Sequence, residues 1–486
     1  MRANVLVAVA VICTILPFAG QFYGDRAGGW LMIDFRAYYC AALAQREGLN
    51  PYFAASLNDC EHQTPAPYYH PPRNVTVPAP YPPYALAFFA PLTLLPFGVA
   101  ALAWWIVLAL CLALAAYALS RIAAQPLTVA WAALVLSLGL ASWTSGNVVL
   151  FAIAALVLAA LFVQEGNSWA ATVAIALAMI EPQIALPAAI ALFVACRPLR
   201  LKLAGAVAIL GIICVLVAGV AQTSFYLTTV VPAHALSEVS RDNQYSVSTV
   251  LSALGASDSS AVLAGSVGYI VMSVVGIAVA LRLARIYNAV ALVVLVPPAI
   301  SLLGGSFVHT GEIAAAVPAA LVLLNLRSGS VILRSARFDF AQHRLRARLE
   351  GWLLAALILL AVPWMLAVSA VMFLAPLYPA AYLAYALWGR DRTLALAVAV
   401  VSAAIIFGLF SLAAVPAVHA LGHARVHPPI DPRLAEATWR ELVLGNTTNR
   451  PIMWLLRLPT WVGLLAFAAA AITPVVNSRR LAESRA

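Results

Sequence analysis

Val99-Ala-Ala-Leu-Ala-Trp-Trp-Ile-Val-Leu-Ala-Leu-Cys-Leu-Ala-Leu-Ala-Ala-Tyr-Ala-Leu119 runs without a charge and stops at Ser120-Arg121. A helix rising about 1.5 Å per residue makes this stretch long enough for the roughly 30 Å hydrocarbon layer of a bilayer. The rest of the 486-residue chain has the same character: 64% of it is hydrophobic, 9% is charged, and the mean hydropathy is +0.95. Soluble domains carry about 25% charged residues, so no water-facing surface can be built from this composition. Disordered, fibrous, nucleic-acid-binding and small disulfide-rich classes are excluded. The composition predicts an all-α polytopic membrane protein.

Working outward from that run, apolar stretches between breakers predict crossings near 4–20, 99–119, 127–143, 147–163, 168–180, 184–196, 203–221, 260–281, 288–304, 311–326, 351–374, 376–389, 393–415 and 455–474. This gives 12–14 transmembrane helices, the first retained because no small-residue cleavage site follows Val5 to Ala19. The two short runs flanking Glu181-Pro182-Gln183 read as a V-shaped pair. Alternate loops differ sharply in charge. One side collects eighteen basic and five acidic residues, the other ten basic and thirteen acidic, and together they give the net charge of +10. The basic side is cytoplasmic. Only Lys202 among the 28 basic residues is a lysine, which reads as the codon usage of a high-GC bacterium. The expected location is therefore a bacterial plasma (inner) membrane. The long polar segments 20–98, 222–258 and 416–454 then face outward, and the basic loop 327–350 faces anionic lipid inside. No Gly-rich phosphate loop appears on the cytoplasmic side.

The first outer segment, 20–98, is the most informative. Ile33-Asp34-Phe35-Arg36-Ala37-Tyr38-Tyr39 begins a predicted interfacial amphipathic helix with Asp34 as its N-cap, and Asn50-Pro51-Tyr52 ends it. Pro65 to Pro72 and Tyr81-Pro82-Pro83-Tyr84 forbid a continuous helix, and Ala85 to Phe97 reads as a half-helix in the outer leaflet. Cys40 and Cys60 share this segment. They pair if it faces an oxidising compartment and stay free otherwise. Polar groups near the membrane on this face are functional candidates by default: Asp34, Arg36, Asn147, Glu181, Gln183, Arg241 to Ser246, His309 and Glu312.

These motifs carry a resemblance. Asp34-Phe-Arg-Ala-Tyr38-Tyr39 with Gly48-Leu-Asn-Pro51-Tyr52, then Tyr81-Pro-Pro-Tyr84 before Leu95-Pro-Phe97, resembles glycosyltransferase family 87. This is a family of polyprenyl-phosphate-mannose-dependent mannosyltransferases in the GT-C superfamily. Gly146-Asn147 is similar to a shortened form of its Gly-Gln-x-Asn segment, Glu181-Pro182-Gln183 to its Lys-Pro-Gln, and Asn243-Gln244-Tyr245-Ser246 to its Asn-x-Ser stretch. His309 to Glu312 falls where the family has a His or acidic residue. Two departures stand out: Glu181 replaces a lysine, and the Gln before Asn147 is missing.

The resemblance implies a GT-C-like bundle, with a catalytic module over 1–330 and further helices over 331–486. It also implies transfer of a hexose, mannose in the family, from a polyprenyl-phosphate-linked donor to an extracytoplasmic glycan or glycolipid acceptor. One carboxylate base and a phosphate leaving group suffice for an inverting displacement. Asp34 is the expected base, and His309 and Glu312, one helical turn apart, form a supporting pair. Arg241, then Arg36, are expected at the phosphate because guanidinium meets phosphate oxygens in pairs. Tyr38, Asn147, Glu181, Gln183, Asn243 and Gln244 are expected to bind substrate. No cofactor and no metal are implied: His419, His423 and His427 have metal-like spacing, but Gly422 and Pro428 interrupt their helix. The competing reading is a transporter or flippase of lipid-linked substrates, against which no internal repeat is found.

Overall fold

The computed structural model describes residues 31–64, 75–135, 140–239, 241, 244–329, 340–361, 427–446 and 451–483. Among these residues every extended regular element is a helix, and the only β contacts are the isolated bridges Phe53 to Leu434 and Gln244 to His309. Four helices are long and apolar enough to cross a membrane: Phe97–Ile122, Arg197–Glu238, Asp258–Tyr287 and Arg457–Asn477. Their flanks are apolar yet open, with Leu201, Ile209, Leu216, Val220 and Ile270 exposed. Water would penalise such flanks and lipid tails would not. The chain is an all-α polytopic membrane protein.

Shorter helices fill the interior. All ten residues of Leu292–Ser301 are buried, as an evenly apolar helix requires. Asp258–Tyr287 passes the turn after Leu292–Ser301 at glycines: a Cβ on Gly304 would stand 2.3 Å from the Gly268 backbone, and one on Gly265 would stand 2.4 Å from Gly305 O. Small residues of this kind let membrane helices approach closely.

Several expectations are met and others corrected. The V-shaped pair is present as Ser168–Ala178 and Pro182–Ala195, meeting at Glu181. The expected 127–143 crossing is helical over Leu127–Leu134 and Leu140–Ser145. The expected 203–221 helix instead runs from Arg197 to Glu238, 42 residues. Gly219, at φ 74° and ψ 166°, kinks the path close to the expected end, and helix resumes through the polar stretch Gln222-Thr-Ser224 and a π-helical turn at Tyr226–Val230. The overrun carries Glu238 beyond the apolar stretch. Crossings 4–20, 376–389 and 393–415 lie outside the described residues.

At one end of the helices, Ile33–Arg46 and Ala54–Gln63 form a roof joined by a Cys40–Cys60 disulfide. The roof helix does not lie open on the membrane surface, since ten of its fourteen residues are buried. Residues 427–446 form a strap across this roof. Ala54 N–H donates to Arg433 O at 2.9 Å, Ala435 N–H to Tyr52 O at 3.0 Å, and Thr76 N–H to Thr438 Oγ1 at 3.2 Å. His427 Nδ1 lies 2.6 Å from Asp258 Oδ2 and ties the start of the strap to the bundle. At the other ends of the helices, a cavity of about 500 Å³ opens among Ile122, Gln164, Cys196, Arg285 and Asn288.

Candidate active site

Asp34 is the second residue of the roof helix and not its N-cap. Met32 holds the cap position at φ 57°, with its N–H bonded to Thr144 O at 2.7 Å. The Asp34 carboxylate is therefore not used as a cap. Oδ2 accepts Asn147 Nδ2–H at 2.8 Å, while Asn147 Oδ1 accepts Val149 N–H at 2.9 Å and so fixes the amide. Gly146 makes this approach possible: at φ 73°, a Cβ there would stand 2.7 Å from Phe35 Cβ. The Gly146 carbonyl in turn accepts the Trp104 indole N–H at 2.8 Å.

Tyr38 lies one helical turn after Asp34, on the same face. Its phenol is pushed well above the usual range, first by burial and then by the carboxylates of Asp34 and Glu181. Arg36, two positions from Asp34, points to the other side of the helix. It is buried, with Nη1 3.5 Å from Glu61 O and its guanidinium 5.8 Å from the centre of the Phe97 ring. Burial pushes the neighbouring Glu61 carboxyl up to about 8, against the opposing pulls of the Val77 N–H and Arg36. The structure thus sets Arg36 inside the roof and does not bring it to the groups described next.

Those groups form one hydrogen-bonded chain. Tyr81 Oη–H donates to Glu181 Oε1 at 2.7 Å, so Tyr38 Oη–H is the donor in its 3.2 Å contact with Tyr81. Gln183 Nε2 donates to Glu181 Oε2 and, at 3.2 Å, to Glu312 Oε1. His309 Nδ1 faces Glu312 Oε1 at 3.6 Å, and its Nε2 lies 3.1 Å from Glu238 Oε2. Glu238 also accepts from Arg241 Nη1 at 3.1 and 3.2 Å, Gln244 Nε2 at 3.1 Å and Trp439 Nε1 at 2.8 Å. Gln244 Oε1 accepts Val308 N–H at 2.8 Å, which joins the Arg241 loop to the His309 turn. Of the residues nominated from sequence, Tyr38, Glu181, Gln183, Arg241, Gln244, His309 and Glu312 are linked in this way, and Asp34 and Asn147 pair beside Tyr38. Asn243 lies outside the described residues.

Burial sorts the network by charge. Glu181, Glu238 and Glu312 are each at most 3% exposed, whereas the side chains of Arg241 and His309 are 28% and 24% exposed. The anions sit inside and hold two partly exposed cations. Burial alone would lower the His309 pKa, but hydrogen bonds to Glu238 and Glu312 override it and raise the imidazole to about 10. At neutral pH His309 is therefore an imidazolium.

His234, Glu238 and His309 also present ligand atoms within 4.8 Å of one another. Glu238 Oε1 already accepts Trp439 and Arg241, and Oε2 accepts Arg241, Gln244 and His309. A carboxylate offers about four lone-pair sites. These five contacts saturate it, and the paired guanidinium would repel a metal ion. The residues fit a proton-bearing network. Of the histidines with metal-like spacing, His427 pairs with Asp258, and His419 and His423 lie outside the described residues.

Reasoning from sequence missed four contributors. Glu238 stands three residues before Arg241, an ion-pair spacing on a helix, and so left a readable signal. Tyr81 lay within a quoted motif. Trp439 and Arg457, the latter donating from Nη2 to Arg241 O at 3.2 Å, left none, because their roles depend on tertiary packing alone.

No curated protein and no solved structure matches the chain. The model of glycosyltransferase family 87 matches residues 80–303. That stretch contains Asn147, Glu181, Gln183, Glu238, Arg241 and Gln244, and leaves Asp34, His309, Glu312 and Trp439 outside. Over residues 80–303, on a frame of helices long and apolar enough to cross a membrane, the chain is thus similar to glycosyltransferase family 87, and the match points to a membrane glycosyltransferase.

Proposed function

We propose that the protein transfers a hexose, mannose by its family resemblance, from a polyprenyl-phosphate donor to a glycan or glycolipid acceptor on the extracytoplasmic side. The observation that carries this reading is the Asp34 carboxylate, held by Asn147 beside Tyr38, next to a network that runs from Tyr38 to two partly exposed cations, Arg241 and His309, and draws on distant parts of the chain. Asp34 takes the proton of the acceptor hydroxyl as that oxygen attacks the anomeric carbon. The bond from that carbon to the phosphate oxygen breaks, and the phosphate leaves with the electron pair. A phosphate needs no proton to leave, so one base suffices and configuration inverts. Arg241 and the His309 imidazolium meet the charge that develops on the leaving group. Asn147 orients Asp34, and Glu181, Gln183 and Glu312 hold His309 and present amide and carboxylate groups to sugar hydroxyls. Gln244 fixes the Arg241 loop, and Tyr38 lines the wall between Asp34 and Glu181. The substitution of Glu181 for the family's lysine leaves the phosphate to Arg241 and His309.

The test is transfer of label by purified protein in lipid nanodiscs from radiolabelled polyprenyl-phosphate mannose to membrane glycolipid acceptors. Asp34→Asn is expected to lower turnover about 10²- to 10⁴-fold, the range of a lost general base, while the thermal midpoint stays within a few degrees. Undiminished turnover in Asp34→Asn would remove Asp34 as base. Label moving only from a nucleotide sugar would overturn the donor class, and movement of intact donor across the bilayer without transfer would favour a flippase.

A further inference from the structure

The open edge of the Arg241 guanidinium is set by a residue far along the chain. Every side-chain hydrogen bond of Arg241 among the described residues runs from Nη1 to Glu238, which leaves the N–H groups of Nε and Nη2 directed elsewhere. The plane of the guanidinium is fixed by Trp439, whose ring centre lies 4.9 Å from Arg241 Cζ. The same indole donates Nε1–H to Glu238 Oε1 at 2.8 Å, so one side chain grips both halves of the ion pair. Trp439 is only 3% exposed and belongs to the helix Ala435–Asn446, which is bonded to the roof at Tyr52 and Thr76. It stands outside the stretch matched by the family model.

We propose that Trp439 is a positioning residue for the donor phosphate: its face fixes the Arg241 plane and its N–H fixes Glu238, so that the free guanidinium edge points at the phosphate oxygens. This rests on the reading of Arg241 as the phosphate group's partner. A flexible arginine must be immobilised before it can make two parallel contacts, and an aromatic face supplies the restraint without competing for its N–H groups. Trp439 therefore acts on affinity for the phosphate-bearing substrate and leaves affinity for the acceptor alone.

The experiment measures binding of polyprenyl phosphate, with uncharged polyprenol as the control lipid, to full-length protein in nanodiscs. The proteins are wild type, Trp439→Leu, Trp439→Phe, Arg241→Gln and the Trp439→Leu/Arg241→Gln double variant. Trp439→Leu is expected to weaken polyprenyl-phosphate binding about tenfold. Trp439→Phe, which keeps a ring and loses the N–H, should weaken it about threefold, and polyprenol binding should change less than twofold in both. In the Arg241→Gln background, Trp439→Leu should change binding less than twofold, because its effect passes through Arg241. In transfer assays the donor KM should rise with the acceptor KM unchanged. Wild-type affinity in Trp439→Leu would overturn the proposal, as would an undiminished loss in the Arg241→Gln background or equal weakening for polyprenol. Should Trp439→Leu fail to fold, wild-type affinity in Trp439→Phe together with an unchanged donor KM would overturn it equally. Binding needs no transfer. Protein that binds through Arg241 and Trp439 yet moves no sugar would sink the transferase reading and leave this one standing. Intact transfer with no dependence on Trp439 would do the reverse, and wild type that binds no lipid phosphate would overturn both.

Discussion

Asp34 owes its availability to its neighbours. A carboxylate in the first turn of a helix ordinarily bonds to backbone N–H groups, but here the Met32 turn and the Asn147 amide hold it aside. Asn147→Leu is expected to lower turnover about 10- to 100-fold in the transfer assay while Asp34 remains present, the signature of misplaced geometry. Gly146→Ala should act in the same direction and also lower the thermal midpoint, because its Cβ meets Phe35. His309 makes a separate prediction. Its folded pKa of about 10 lies above the ordinary imidazole value of 6.5. Its contribution to stability is therefore fully present below about pH 6.5 and is lost as pH rises through about 10. Unfolding midpoints measured from pH 6.5 to 10 should fall in wild type more steeply than in His309→Gln, and parallel curves would count against the imidazolium. These residue types were legible in the sequence because polar groups beside apolar runs are rare and costly. Which partner each one takes was not legible: Arg36 and Arg241 look alike in sequence, and only the two-residue offset from Asp34, folded into a helix, sends Arg36 into the roof.

Among the elements, periodicity and charge located the helices better than their ends. The V at Glu181 was readable because Pro182, set between the polar Glu181 and Gln183, favours the first turn of a helix. The continuation beyond the Gly219 kink to Glu238 was not, since Gln, Thr and Ser end an apolar run without preventing a helix from resuming. That overrun decides the site, for without it Glu238 would not reach His309 and Trp439. The roof depends on a covalent link that the sequence left open. Joining Ile33–Arg46 to Ala54–Gln63 closes a short loop, so Cys40→Ser/Cys60→Ser is expected to lose about 2–4 kcal/mol of stability. A lower thermal midpoint would show this in calorimetry, and reductant should bring wild type to the value of the variant.

For the whole molecule, the orientation argument is open to direct test. In a background lacking Cys13, Cys111, Cys196 and Cys214, Glu47→Cys in the roof should react with a membrane-impermeant maleimide in intact cells. Arg197→Cys, on the basic side, should react only after the cells are opened. The reverse pattern would invert every loop assignment at once, since successive crossings share one parity. The strap has a consequence for how the molecule is made. Its ties to Tyr52, Ala54 and Thr76 connect the beginning of the polypeptide with a part synthesised hundreds of residues later. A ribosome halted before residue 427 would leave helices already embedded in the bilayer but no Trp439 beside Arg241. The Arg241 plane is thereby left unset until the strap has been made, and a copy that lacks the strap holds the donor phosphate more weakly.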